Sequence, residues 1–166
     1  MTAAAALTRI REQLERMRAL CNTPEAQLFA ANERVSGWSP GEHVDHLLRV
    51  TNLILHRIPS DEVLPRGISP LGRIILALGW IPSGIGKAPE RLGGRRTSLP
   101  ELQATLEKVS KVLATIDTAA VDAARTPNVP HPRFGGLTPS QALRFVVIHN
   151  DHHLKIVRDV LGARQR

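Results

Sequence analysis

Three times this chain begins a helix in the same way. Ser39-Pro40-Gly41-Glu42, Ser98-Leu99-Pro100-Glu101 and Thr138-Pro139-Ser140-Gln141 each place a hydroxyl residue three positions ahead of Glu or Gln, with proline in the first turn. The hydroxyl accepts from a free N–H, the acid or amide reaches back, and the proline's missing N–H costs little there. Apolar stripes at helical spacing follow each start: His43, His46, Leu47, Val50, Ile54; then Leu102, Leu106, Val109, Leu113, Ile116; then Ala142, Phe145, Val146, His149, His153, Ile156, Val160. A further helix is predicted over Ala3 to Leu20, with a break at Asn22-Thr23-Pro24 and a short helical continuation to Glu33. The second long helix should run from Pro40 to about Arg57, the third from Ser98, and the fourth from Pro139 to Leu161 with Gly162 as its stop. Strand-like alternation is scarce. The pattern predicts an all-α fold, a four-helix bundle with a long crossover connection between the second and third long helices.

Composition fits one domain spanning 1–166, long enough to bury a core. Aromatics make up 3% and tyrosine is absent, so that core must be mostly aliphatic. A single cysteine, Cys21, excludes a disulfide framework and a cysteine-rich zinc site, and suits a reducing cytoplasm. At the end of the first helix, Cys21 reads as a small buried hydrophobe rather than a nucleophile. No targeting segment is visible, since Arg9, Arg11 and Glu12 interrupt the apolar N-terminus. The longest apolar stretch, Ile74 to Ile81, is far short of a membrane span. A cytoplasmic protein without stable membrane insertion is expected.

Chemistry enters with His149-Asn150-Asp151-His152-His153. His149 and His153 are four residues apart, on one face of a helix, with Cβ atoms about 5–6 Å apart. Two imidazoles so placed can grip one divalent metal. If the apolar stripes of the second and fourth helices face each other, the second contributes a third nitrogen. Three protein ligands with an open position is the catalytic zinc pattern. His43, His56 and His152 read by default as ordinary core or surface rings. Asp45 or Asp151 could orient a ligand's other ring nitrogen.

Trp38-Ser39-Pro40-Gly41-Glu42…Asp45-His46-Leu47, His131-Pro132-Arg133-Phe134-Gly135 and His149…His152-His153 together resemble the DinB-like (YfiT-like) superfamily of small metal-binding four-helix bundles, from about Leu7 to Leu161. The resemblance implies a metal triad of His46, His149 and His153. It also implies a divalent cofactor, zinc or nickel foremost, with iron or manganese also accommodated. The family's final motif usually continues with a polar run such as Arg-Gly-Gln, whereas this chain continues Leu154-Lys155-Ile156. Relatives include transferases that use bacillithiol or mycothiol and a mycothiol-dependent isomerase. The function so implied is a thiol-dependent S-transferase or a hydrolase, using a metal-activated thiol or water. Outside the triad the general-base candidates are His152, His43 and Asp151, with His152 taken as the candidate catalytic residue. A non-catalytic, stress-linked binding protein with a structural or vestigial metal is the alternative.

Two segments admit more than one reading. His131-Pro132-Arg133-Phe134-Gly135-Gly136 reads as a loop that either brings His131 or Arg133 to the mouth of the site or staples onto the last helix through Phe134. The connection from Pro59 to Thr97 holds a short apolar helix candidate, Leu71 to Trp80. From Arg66 to Arg96 it carries Arg66, Arg73, Lys87, Arg91, Arg95 and Arg96 against Glu90 alone, which is +5 of the chain's net +7. It could be a lid for an anionic substrate, a membrane-touching segment, or a solvated basic loop. With no aromatic ladder for bases, nucleic acid is not an expected partner. A small-molecule substrate is, with a low-molecular-weight thiol as one candidate, and a homodimer is left open.

Overall fold

The computed structural model describes residues 1–82 and 92–162. Lys87, Glu90 and Arg91 of the basic connection lie outside them. Four long helices form the core: α1 (Ala3–Leu20), α3 (Pro40–Arg57), α5 (Leu99–Ala114) and α7 (Pro139–Gly162). α2 (Glu25–Leu28), α4 (Pro70–Leu78) and α6 (Thr118–Ala123) are short, and a hairpin of β1 (Val129–His131) and β2 (Gly135–Leu137) precedes α7. α1 and α3 each pack against both α5 and α7, closing a four-helix ring. No helix among the described residues is long and apolar enough to cross a membrane.

The repeated starts fold as their chemistry requires. The Ser39 hydroxyl accepts from Glu42 N, and the Glu42 carboxylate accepts from Ser39 N at 2.8 Å. The Glu101 carboxylate accepts from Ser98 N at 2.8 Å, and the Gln141 side-chain oxygen from Thr138 N at 3.0 Å. Leu7, Ile10, Leu14 and Met17 of α1 meet Leu47, Leu48 and Leu55 of α3 and Leu102, Leu106 and Leu113 of α5 in an aliphatic core. Cys21 is buried there, its thiol donating to the Met17 carbonyl.

Across the aliphatic core runs a short polar ladder. Gln13 donates to the Val147 carbonyl at 2.8 Å and accepts from Asn150 at 3.1 Å, while the Asn150 side-chain oxygen faces the Thr51 hydroxyl. All three residues are buried. Apolar contacts alone tolerate sliding, whereas amide-to-amide bonds hold in one register. Asn150 adjoins His149, so the ladder sets how far α7 is advanced relative to α1 and α3.

Several boundaries differ from the sequence reading. The helical continuation after Pro24 stops at Leu28 rather than Glu33. Gly79, at φ 74, ends α4 before Trp80, because only glycine takes the left-handed cap at little cost. Near the end of α7 it is Val157 that is fully packed, while Ile156 is half-buried. The predicted loop at 131–136 is the hairpin, which pairs Val129 with Leu137 and His131 with Gly135.

Residues 64–69 lie along the hairpin like an extra strand. Leu64 N donates to the Pro127 carbonyl, Gly136 N to Gly67, and Ser69 N to Phe134. Gly136 is essential to that approach, because a Cβ there would lie 2.3 Å from the Arg66 carbonyl oxygen. Gly136→Ala is therefore expected to cost about 2–3 kcal/mol, read as a lower urea midpoint at unchanged slope. No change in midpoint would mean residues 64–69 are not held to the hairpin.

Candidate metal centre

The Ser39 cap starts α3 so that His43 and His46 fall in its first two turns, facing the middle of α7. His46, His149 and His153 converge there, and their ligand-capable atoms all lie within 4.8 Å of one another. His46 Nε2 and His149 Nε2 are 3.1 Å apart, close to the roughly 3.3 Å separating two nitrogens on one tetrahedral zinc. His46 and His149 are buried; His153 is half-buried and supplies the side open to solvent.

One hydrogen bond fixes the tautomer of His46. A carbonyl only accepts, so the bond between His46 Nδ1 and the Leu92 carbonyl places the proton on Nδ1. Nε2 of His46 then carries its lone pair toward His149. His153 Nδ1 lies 2.9 Å from His43 Nδ1, and His43 Nε2 lies 2.9 Å from the Ser36 hydroxyl. If His153 donates from Nδ1, its Nε2 is free for a cation and the proton chain runs outward through His43 to Ser36. His149 Nδ1 is buried without a partner among the described residues. A leucine would pack there without an unpaired polar atom, so packing alone does not account for the ring.

The donor set thus fits a divalent cation, and its electrostatics agree. Burial pushes the pKa of His46, His149 and His153 below the ordinary histidine value, and neighbouring rings push His149 and His153 further down. Burial, then the His46 ring, lowers His43 to about 4. Neutral imidazoles at neutral pH are the form that binds metal.

Other expected roles land elsewhere. Asp45 does not orient a ligand: its carboxylate is buried and pairs with Arg49 at 2.7 Å and Arg95 at 3.2 Å. Asp151 pairs with Arg9 at 3.4 Å. A backbone carbonyl takes the orienting role instead, at Leu92. His43 is not a detached core ring, since it bonds to His153. His56 is exposed and bonds to the Asn52 carbonyl in its own helix. His152 is half-buried close to Ile81, with its ring 5.2 Å from that of His153.

His131 resolves toward the staple. Its Nδ1 accepts from Arg133 N and Phe134 N, and its ring lies between Phe134 (4.2 Å) and Phe145 (4.6 Å). Phe145 in turn stacks on His149 at 5.2 Å. The hairpin therefore braces the His149 ring through two aromatic contacts.

Two supports were not apparent from sequence as such. The Trp38 ring sits 5.2 Å from both His43 and His46 and stacks on His153 at 6.1 Å. The end of the long connection is fastened over this indole: a Cβ on Gly94 would meet Trp38 at 2.7 Å, and Arg49 donates to the Gly93 carbonyl.

With this geometry in view, a family comparison is decisive. The DinB superfamily model matches residues 6–157. The chain belongs to the DinB superfamily. That family is metal-binding and helical, in keeping with the bundle and with a three-histidine group that could hold a metal ion. No curated protein and no solved structure matches the chain.

Proposed function

We propose that this DinB-superfamily protein is a metal-dependent enzyme, with a divalent ion held by His46, His149 and His153 and a small thiol or water as the activated nucleophile. One observation carries this reading: three neutral ring nitrogens converge, two from buried rings and the third from a ring at a solvent-facing side. Bound by such a set, a divalent cation keeps its full charge and lowers the pKa of a coordinated water or thiol.

The protein's own groups do the rest. Leu92 and His43 hold His46 and His153 by their far nitrogens, and Trp38 screens one side of the set from bulk water. His152 is half-buried, with its ring 5.2 Å from that of His153. That makes it the proposed proton acceptor, and burial keeps the ring neutral by lowering its pKa. The active species is a transferase when the nucleophile is a low-molecular-weight thiol and a hydrolase when it is water.

The test is the cobalt- or nickel-loaded, untagged chain titrated with a small thiol. A spectral shift saturating at one thiol per metal, with turnover that His152→Ala reduces about 10²-fold or more, is expected for the transferase. A spectrum indifferent to thiol, with hydrolytic turnover, moves the assignment to water. X-ray absorption showing four protein nitrogens and no exchangeable position would overturn the enzyme reading in favour of a binding protein.

A further inference from the structure

Helix α4 is apolar on both of its sides. Eight of its nine residues, Pro70-Leu71-Gly72-Arg73-Ile74-Ile75-Leu76-Ala77-Leu78, are apolar, and Arg73 is the exception. Gly72, Ile75 and Leu76 are buried against the protein. At 100° per residue, Leu71, Ile74 and Leu78 share an arc of about 60° on the other side. They are 37%, 56% and 53% exposed, and Trp80, just past the Gly79 cap, is 54% exposed. A helix apolar all round is normally enclosed; this one is enclosed on half its circumference.

The exposed face is firmly mounted. The Ser69 hydroxyl caps α4 at Gly72 N and also donates to the Arg133 carbonyl. A Cβ on Gly72 would lie 2.7 Å from Ile68 and 2.9 Å from Phe134, so the helix is pressed directly onto the strand-like run and the hairpin. Leu71, Ile74 and Leu78 are therefore presented by a seated helix.

Charge indicates what covers the face. No aspartate or glutamate occurs between Glu62 and Glu90, while Arg66 and Arg73 are both exposed. A second copy meeting this face about a two-fold axis would bring together two arginine-bearing segments without a single acid between them. A nucleic acid would meet leucine and isoleucine where it needs donors. A bilayer surface bearing anionic lipid accepts both features, since the apolar side chains enter the acyl boundary and the guanidiniums meet phosphates.

We infer that the outer face of α4, with Trp80, docks on an anionic membrane surface. The adjoining residue, Ile81, lies close to His152, so a docked helix places the bilayer beside that flank of the histidine cluster. This does not depend on whether the histidines bind metal.

The test is co-sedimentation of the full chain with phosphatidylcholine vesicles, with and without phosphatidylglycerol. Binding at least about tenfold stronger with the anionic lipid, weakened by salt and accompanied by a blue shift of indole emission that Trp80→Phe removes, is expected. Ile74→Glu and Leu78→Glu, at exposed positions, should each reduce binding about tenfold or more while leaving the helical circular dichroism intact. Equal binding to both vesicles, no binding to either, or unchanged binding by both variants would overturn the inference. So would a concentration-dependent dimer abolished by Ile74→Glu, or selective retention by nucleic acid.

Discussion

His153→Ala should reduce bound metal from about one ion per chain to none after dialysis, and His46→Ala and His149→Ala should do the same. Each substitution removes one of three convergent nitrogens, and a site of two imidazoles holds a divalent ion far more weakly. His43→Ala should behave differently. His43 touches His153 through Nδ1 and leans on Ser36 through Nε2, so its loss leaves three ligands but frees one to rotate. Removing such a supporting partner typically costs 10- to 100-fold in metal affinity, which a competing chelator would measure even where elemental analysis still finds the ion. Circular dichroism of each variant controls for folding, because His43 and His46 are buried. Full occupancy in His46→Ala or His153→Ala would show that the ion sits elsewhere. If His43→Ala empties the site as completely as His153→Ala does, His43 is itself a ligand.

The second large effect is acid instability of the metal-free protein. His43 and His131 are held at about 4, against 6.5 for the free side chain, in both cases chiefly by burial. Between those values the unfolded chain binds protons that the native chain refuses, so stability is complete above about pH 6.5 and falls as pH drops toward 4. Each ring contributes a slope approaching 1.4 kcal/mol per pH unit, and between pH 7 and 5 the two rings together cost about 4 kcal/mol. His46, His149 and His153 are also lowered and act in the same direction. Set against a total stability of about 5–15 kcal/mol for an ordinary domain, this predicts loss of the native fold before pH 4. Urea midpoints at pH 7.5, 6 and 5 would measure it. A flat profile over that range would mean the rings protonate without leaving the native structure. Saturating metal should raise stability at neutral pH by mass action.

The long helices and the pairing of His149 with His153 were legible because both follow local rules, whereas His46 joined them through the family resemblance. A hydroxyl, a proline and an acid within four residues start a helix whatever surrounds them, and the i,i+4 spacing of His149 and His153 puts them on one side of it. What surrounds the rings was not legible. Nothing near Leu92 in sequence marks its carbonyl as the partner of His46, since any residue carries a carbonyl and only the return of the chain selects one. Asp45 lies next to His46 in sequence but turns to Arg49, one turn along the same helix, and to Arg95. The hairpin was hidden because Gly135 and Gly136 read as loop residues. In fact they are small because another backbone passes against them. Trp38 belongs to a recognisable motif, but its place over three imidazoles depends on how α3 and α7 meet.

The buried amides of Gln13 and Asn150 have a consequence beyond holding helices together. Asn150 and His149 are consecutive, so any misassembly that shifts α7 by a turn breaks the amide pairing and scatters the three nitrogens in the same event. Uptake of the proposed metal would therefore report on register: a chain that has packed its greasy surfaces in the wrong phase can be helical and compact, yet it would not load. Substituting Gln13, which touches none of the three histidines, would corrupt that report at its source.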